Sequence, residues 1–288
     1  MSLGILTNVA ATYAENNLNQ TQGSLQTVLQ QLSSGSRINS GADDAAGLSV
    51  ADGLHANEAA LTQSAQNAQN GVGLLQTADG ALSQVTNLLD RATTLATEAM
   101  NGGLTSAQST AADTEFQSIV KEIGNIGTAT TFNGTAVFGA GATNFVVTDG
   151  TTAGTTTIGA VIGALTAGSV GTTGAPSATT AGAGAVLTGT DLTSQANATT
   201  ALAAITSAVA DIANQRGSIG ANINQLNAAA NVASSEQVNL SSAESSIRST
   251  NYGQATSDLA KFQVLSQTGI SALAQANSVQ QEILKLLQ

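Results

Sequence analysis

Towards the C-terminal end an apolar repeat runs on for longer than a single compact domain needs. Leu202, Ile205, Val209, Ile212, Arg216, Ile219, Ile223, Leu226, Ala230, Ala233, Gln237, Leu240, Glu244 and Ile247 follow one another at spacings of three and four residues in strict alternation. At the helical repeat these positions fall on one stripe, so the pattern predicts one long helix. At a rise of 1.5 Å per residue it would extend about 70 Å. A single stripe on so long a helix must be buried against another of comparable length, because most helical stability in proteins comes from packing of an apolar face. Arg216, Gln237 and Glu244 stand at stripe positions, where a polar residue either fixes register or marks a wet edge.

A second pattern of this kind supplies the partner. Leu61, Ala65, Ala68, Val72, Leu75, Ala78, Leu82, Val85, Leu89, Ala92, Ala96 and Ala99 keep the same spacing with one break in alternation. Ser40-Gly41-Ala42-Asp43 resembles a capping box ahead of it, and Asn101-Gly102-Gly103 is a stop signal behind it. A shorter helix is predicted from about Thr110 to Ile126, capped by Thr110-Ala111-Ala112-Asp113 and packed through Phe116, Ile119, Ile123 and Ile126. Both chain ends carry apolar stripes as well. Leu6, Val9 and Tyr13, then Leu25, Val28 and Leu32, mark the first. Leu259, Phe262, Leu265, Ile270, Leu273, Val279, Ile283 and Leu286 mark the last. Each end is expected to bury part of its stripe on the other and the remainder on further copies of the chain.

The middle, about 134–195, loses this period. Asn144–Thr148 and Thr155–Ile158 around Asp149-Gly150 predict a β-hairpin. Residues 165–190, with the only proline at Pro176, read as a flexible surface segment. The fold class expected is therefore mainly α: a long antiparallel helical hairpin or coiled coil of paired N- and C-terminal segments, with a small β-hairpin region between them.

Composition narrows the function. Only 9% of the 288 residues are charged, against about 25% in an ordinary soluble protein. A surface so poor in charge resists association weakly, which suits a chain packed into an assembly. The net charge of −11, with four Arg and three Lys scattered along the chain, gives no footprint for nucleic acid or for an anionic membrane. No run is long and apolar enough for a membrane-spanning helix. The segment Met1–Leu6 lacks the basic and apolar regions of a secretory signal peptide, so any export is expected to use another route.

Chemistry-bearing motifs are sparse. Without cysteine there is no disulfide or thiolate site, and His55 is the only histidine, so no His-based metal cluster is expected. His55 reads as a surface or packing residue, and the pair Asp43–Asp44 as a solvated helix start that complements the helix dipole. Gly71-Val72-Gly73 and Gly139-Ala140-Gly141 lack the rest of a phosphate-binding loop. Asn19, Asn133, Asn197 and Asn239 begin N-x-[ST] sequons, which a chain rich in Asn, Ser and Thr produces by chance. No catalytic residue and no cofactor is expected.

Several stretches resemble bacterial flagellin. They are Leu32-Ser33-Ser34-Gly35-Ser36-Arg37-Ile38-Asn39-Ser40-Gly41-Ala42-Asp43-Asp44-Ala45-Ala46-Gly47-Leu48, Asn67–Gly71, Leu75–Leu82 and Phe132-Asn133-Gly134, with Ser245–Tyr252 and Gln275-Ala276-Asn277 at the other end. The chain departs from the family pattern at Ser36, where Leu is common, and at Ser249–Tyr252, where an acidic pair is usual.

The resemblance implies a structural subunit that self-assembles into the extracellular flagellar filament. It implies residues 1–45 and 251–288 as the two parts of an inner coiled-coil core, and 46–143 and 191–250 as a helical rod. Residues 144–190 become a β-hairpin and short surface segment, with 151–195 as a region open to O-glycosylation. Leu6, Val9, Tyr13, Leu25, Val28, Leu32, Leu259, Phe262, Leu273 and Ile283 become the assembly residues of the core. The implied partners are further copies of the chain, an export chaperone of the flagellar type III apparatus, the filament cap, hook-junction proteins, and an animal innate immune receptor contacted through Arg91, Leu95 and Glu115. A hook–filament junction protein and an adhesin or host-receptor ligand are the alternatives.

Overall fold

A computed structural model describes residues 8–139, 142–151, 153–170 and 185–286. Leu6 and Pro176 lie outside these residues, as does 171–184 within the Thr-rich stretch, and of Ile283 only the helical backbone is described. The chain is mainly α. The helices are α1 (Val9–Ser34), α2 (Ala45–Ala99), α3 (Ser106–Ala129), α4 (Gln195–Arg248) and α5 (Tyr252–Leu286). The strands β1 (Thr131–Phe132), β2 (Thr135–Ala136), β3 (Ala142–Val147) and β4 (Thr156–Val161) lie between α3 and α4.

The residues group into two compact units. One comprises the chain up to Ala56 and from Asn239 onward, and the other comprises Asn57–Val238. In the second unit one core is built from α2, α3, α4 and the strand region. Leu75, Leu82, Val85 and Leu89 of α2, Phe116 and Ile123 of α3, and Ile205, Ile212, Ile219 and Leu226 of α4 are all essentially inaccessible to solvent. From Leu75 to Ala99 the α2 stripe is thus buried as its spacing predicts, whereas nearer its start Ser64 and Gly71 are buried and the expected Ala65 and Val72 are half-buried; Asn101-Gly102-Gly103 follows its end.

The α4 stripe is rotated from the expected one. Ile205, Ile212, Ile219 and Leu226 are buried, but their companions are Ala201, Ala208, Gln215 and Asn222, while Leu202, Val209, Arg216 and Ile223 lie half-buried along one flank. Much of the buried face of α4 is therefore small or polar. Arg216 on that flank pairs with Asp79 of α2 at 2.8 Å. Its guanidinium is held more firmly protonated by the Asp79 carboxylate, and this is the wet-edge role for a polar stripe residue.

Two predicted caps shift. Ser40–Asp43 forms a turn, with the Asp43 carboxylate accepting from the Asn39 and Ser40 amides and the Ser40 hydroxyl. Those donors hold the Asp43 carboxyl below the usual carboxylate range. Asp44 takes the capping role instead, its Oδ1 accepting from the Gly47 amide at 2.8 Å. α3 begins earlier than expected because Thr105 and Gln108, and not Thr110 and Asp113, form the capping box.

The strand region follows its turn chemistry. β3 and β4 pair antiparallel from Ala142↔Val161 to Val147↔Thr156, slightly longer than the alternation indicates. The Ser64 hydroxyl of α2 donates to Thr148 O at 2.6 Å and accepts from Thr148 N, anchoring the strand end. A smaller hairpin, β1–β2, turns through Asn133 (φ 49) and Gly134 (φ 76), the left-handed pair that a two-residue turn requires. Residues 165–170 and 185–190 are not a free surface segment. Leu165, Val170 and Leu187 are buried, Val170 bridges Ala185, and the Ala185 amide donates to Asp211. The buried apolar side chains, spaced irregularly among Gly and Thr, give no periodic signal.

Candidate assembly interface

The first unit holds the candidate site. α1 opens at Asn8, whose side chain accepts from the Ala11 amide and whose Nδ2 donates to Ala276 O of α5 at 2.9 Å. The α1 face turned to α5 runs Ala11, Ala14, Leu18, Thr21, Leu25, Val28 and Leu32, all buried or half-buried. On α5 it runs Ala255, Leu259, Phe262, Ser266, Gly269, Leu273 and Ala276. Both sets alternate spacings of three and four, the repeat of a coiled-coil seam. Gly269 packs so near Leu18 that an added Cβ would come within 3.2 Å of the Leu18 side chain. Beside it a shallow, mostly apolar groove of about 360 Å³ is lined by Ala14, Leu18, Leu265 and Ala272 among others.

Leu25, Val28, Leu32, Leu259, Phe262 and Leu273 therefore meet in one seam. Val9 and Tyr13 do not join it: they are 59% and 69% exposed. The stripe they begin is out of phase with Leu25-Val28-Leu32. Extending the latter backward by the repeat leads to Thr21, Leu18, Ala14 and Ala11. Thr21, Ala14, Ala11, Ser266 and Gly269 carry no hydropathy signal because they are small or polar, and Leu18 stands alone among them, although the spacing by itself reaches all six. On α5, Val264, Leu265, Ile270 and Val279 are also exposed, at 43–65%.

The breaks between helices are pinned together. α1 stops at Gly35 (φ 70), whose amide donates to Gln31 O. A side chain there would also meet the Tyr252 hydroxyl at 2.8 Å, so space as well as conformation demands glycine. Ser36 bridges Ser249, the Arg37 amide donates to Arg248 O, and the Thr250 amide donates to Gly35 O. The Ser36 hydroxyl donates to Ile38 O or Arg248 O, and the Thr250 hydroxyl to Gln31 O. Two positions that depart from the family pattern, Ser36 and Ser249, thus face each other. In the same unit exposed His55 lies 3.6 Å from Glu244, which also pairs with Arg248 at 3.1 Å.

In the second unit Arg91 and Glu115 form a two-pronged ion pair at 2.7 and 3.0 Å on the surface. The pairing holds the Glu115 carboxyl below its ordinary range and the guanidinium above its own. Leu95, expected beside Arg91 on the exposed face, is 3% exposed and belongs to the core. It follows Ala92 and precedes Ala96 and Ala99, at the point where α2 buries a wider face.

The sequence matches the family model for the bacterial flagellin N-terminal helical region over residues 5–143 and that for the C-terminal helical region over 202–287. It is 32% identical over 286 residues to the flagellar filament 30.7 kDa core protein of Treponema maltophilum, covering 97% of this chain and 98% of that protein. The chain belongs to the bacterial flagellin family. A flagellin of Halalkalibacterium halodurans is 31% identical over 280 residues, covering 97% of this chain and 98% of the relative. The solved flagellin of Bacillus cereus is 26% identical, with a TM-score of 0.46 over 58% of this chain and 88% of that one. As a flagellin the chain is a structural subunit of the extracellular flagellar filament, where it self-assembles into a homo-oligomer, and it is not an enzyme. No described helix is long and apolar enough to cross a membrane.

Proposed function

We propose that filament assembly runs through the α1–α5 pair, with Leu6, Val9, Tyr13, Leu25, Val28, Leu32, Leu259, Phe262, Leu273 and Ile283 as its assembly residues. The observation that carries this reading is the division of labour on these two helices. One stripe closes the seam, and a second set, Val9, Tyr13, Val264 and Ile270 among it, is left facing solvent. In this reading residues 1–45 and 251–288 build the inner coiled-coil core of the filament, 46–143 and 191–250 its rod layer, and 144–190 the hairpin and outer surface. Removing residues 259–288 should abolish filaments while the Asn57–Val238 unit keeps its cooperative melt. Filaments from the truncated chain would sink the proposal.

Export through the flagellar type III apparatus, a chaperone bound to the C-terminal segment, and contacts with the filament cap and hook-junction proteins belong to the same proposal by family resemblance. Deleting residues 2–20 should retain the protein inside the cell, and undiminished secretion of that deletion would contradict this.

A second reading, recognition by an animal innate immune receptor, draws on the exposed Arg91–Glu115 pair, which presents an ordered polar patch. Leu95 contributes only by packing beneath it. Reporter cells exposed to monomer and to an Arg91→Ala monomer decide the matter, and equal responses end this reading.

A further inference from the structure

The sequence contains three Asn-Gly dipeptides, at Asn70, Asn101 and Asn133, and the structure gives them different chemistry. An asparagine followed by glycine can cyclise when the next backbone nitrogen reaches its side-chain carbonyl carbon. Glycine is permissive because no Cβ shields that nitrogen. Three conditions favour the step: a nucleophilic nitrogen free of other hydrogen bonds, a backbone free to rotate into the ring, and a donor on the carbonyl oxygen as negative charge develops there.

Asn70 fails the first two conditions. It lies in the interior of α2, where the helical ladder engages the following amide, and Gly71 is buried so tightly that an added Cβ would sit 2.8 Å from the Phe145 ring. Asn133 fails the second. It is held at φ 49 in the turn of β1–β2, closed on both sides by Phe132↔Thr135 and Thr131↔Ala136, so ring closure must unpair the hairpin.

Asn101 meets the first and third conditions and comes nearest to the second: its backbone is held only by its N–H on Glu98 O at 3.0 Å and by the Leu104 N–H on its carbonyl at 3.3 Å, with no hairpin or helix interior to unpair. Asn101, Gly102 and Gly103 are exposed in the connection between α2 and α3. The Gly102 N–H has no hydrogen-bond partner among the described residues, and an added Cβ there would meet nothing within 4 Å. The Gly103 N–H donates to Asn101 Oδ1 at 3.3 Å. That oxygen is the one that becomes the oxyanion, so the loop carries its own oxyanion donor.

We propose that Asn101 is a site of spontaneous deamidation in the folded subunit. Gly102 N loses its proton to solvent base and forms a bond to Asn101 Cγ, with the charge passing to Oδ1 beside the Gly103 N–H. The Cγ–Nδ2 bond breaks and ammonia leaves with a proton from solvent, giving a cyclic imide. Water then opens either carbonyl, producing aspartate or isoaspartate. Both add a negative charge just beyond the C-terminus of α2, where the helix dipole disfavours it and Glu98 already stands. Isoaspartate also lengthens the loop backbone by one carbon.

The test is incubation of the intact purified chain at mildly alkaline pH, with peptide mapping that distinguishes isoaspartate and an assay for released ammonia. Asn101 is expected to react roughly tenfold or more faster than Asn133 and Asn70, a modest factor beside what one oxyanion donor supplies in enzymes. In denaturant the three sites should converge. Gly102→Ala, which the open surroundings accommodate, should slow the reaction at position 101 severalfold without changing the melting temperature. Reaction first at Asn133, equal rates at all three sites in the folded chain, or a Gly102→Ala chain as fast as its parent would overturn the proposal.

Discussion

Gln215 is 1% exposed, and neither atom of its amide has a hydrogen-bond partner among the described residues. A buried amide left unpaired costs about 1–3 kcal/mol. Replacing it with leucine of similar volume should therefore raise the unfolding free energy of the subunit by about that amount, measured by chemical denaturation. An unchanged or lower value would mean that the amide is satisfied in solution. The sequence points to Arg216 as the polar residue of the stripe, and the structure puts its neighbour there. Hydropathy assigns a stripe to its largest apolar residues, whereas the buried face of α4 mixes Ile205, Ile212 and Ile219 with Ala201, Ala208, Gln215 and Asn222. A one-residue rotation is invisible to spacing when both flanks obey the same repeat. Arg91 and Glu115, by contrast, do meet across α2 and α3. Because pairing lowers the Glu115 carboxyl, its contribution is present above the ordinary glutamate range and is lost as pH falls through the depressed value. A double-mutant cycle on the pair should show coupling at neutral pH that disappears in acid. Coupling that persists in acid would assign the contact to packing.

At the scale of elements, the long stripes of α2 and α4 are legible because periodicity over many turns leaves few alternatives. Ends and connections are less so, since a cap depends on which of several Ser, Thr and Asp residues turns towards the backbone. Thr105 wins at the start of α3 through its reciprocal bonds with Gln108. Thr105→Ala should cost about 1 kcal/mol, whereas Thr110→Ala should cost much less; a reversed order in thermal melts would contradict the capping assignment. Contacts with the irregular middle are the hardest to read. Gly127 on α3 lies so close to the carbonyl of Leu165 that no side chain fits between them. The obstacle is backbone and cannot swing away, so Gly127→Ala should destabilise the subunit by at least about 2 kcal/mol. An alanine variant as stable as its parent would show that the 165–170 segment is not seated there.

For the whole molecule, low charge and the apolar stripes of α1 and α5 already argue for a chain completed by its own copies. The structure adds which residues the chain satisfies by itself and which it leaves open. The α1–α5 seam consumes Leu18, Leu25, Val28, Leu259, Phe262 and Leu273, while Val264 and Ile270 remain 65% and 50% exposed. Aspartate at the latter two positions spares the seam and puts charge only where a neighbouring subunit would sit. Burial of an unpaired charge costs far more than an exposed one gains. The direct measurement is electron microscopy of the full chain and of a Val264→Asp, Ile270→Asp chain under the same polymerising conditions, with circular dichroism showing equal helix content. The account predicts filaments from the first and none from the second; normal filaments from the aspartate chain would contradict it.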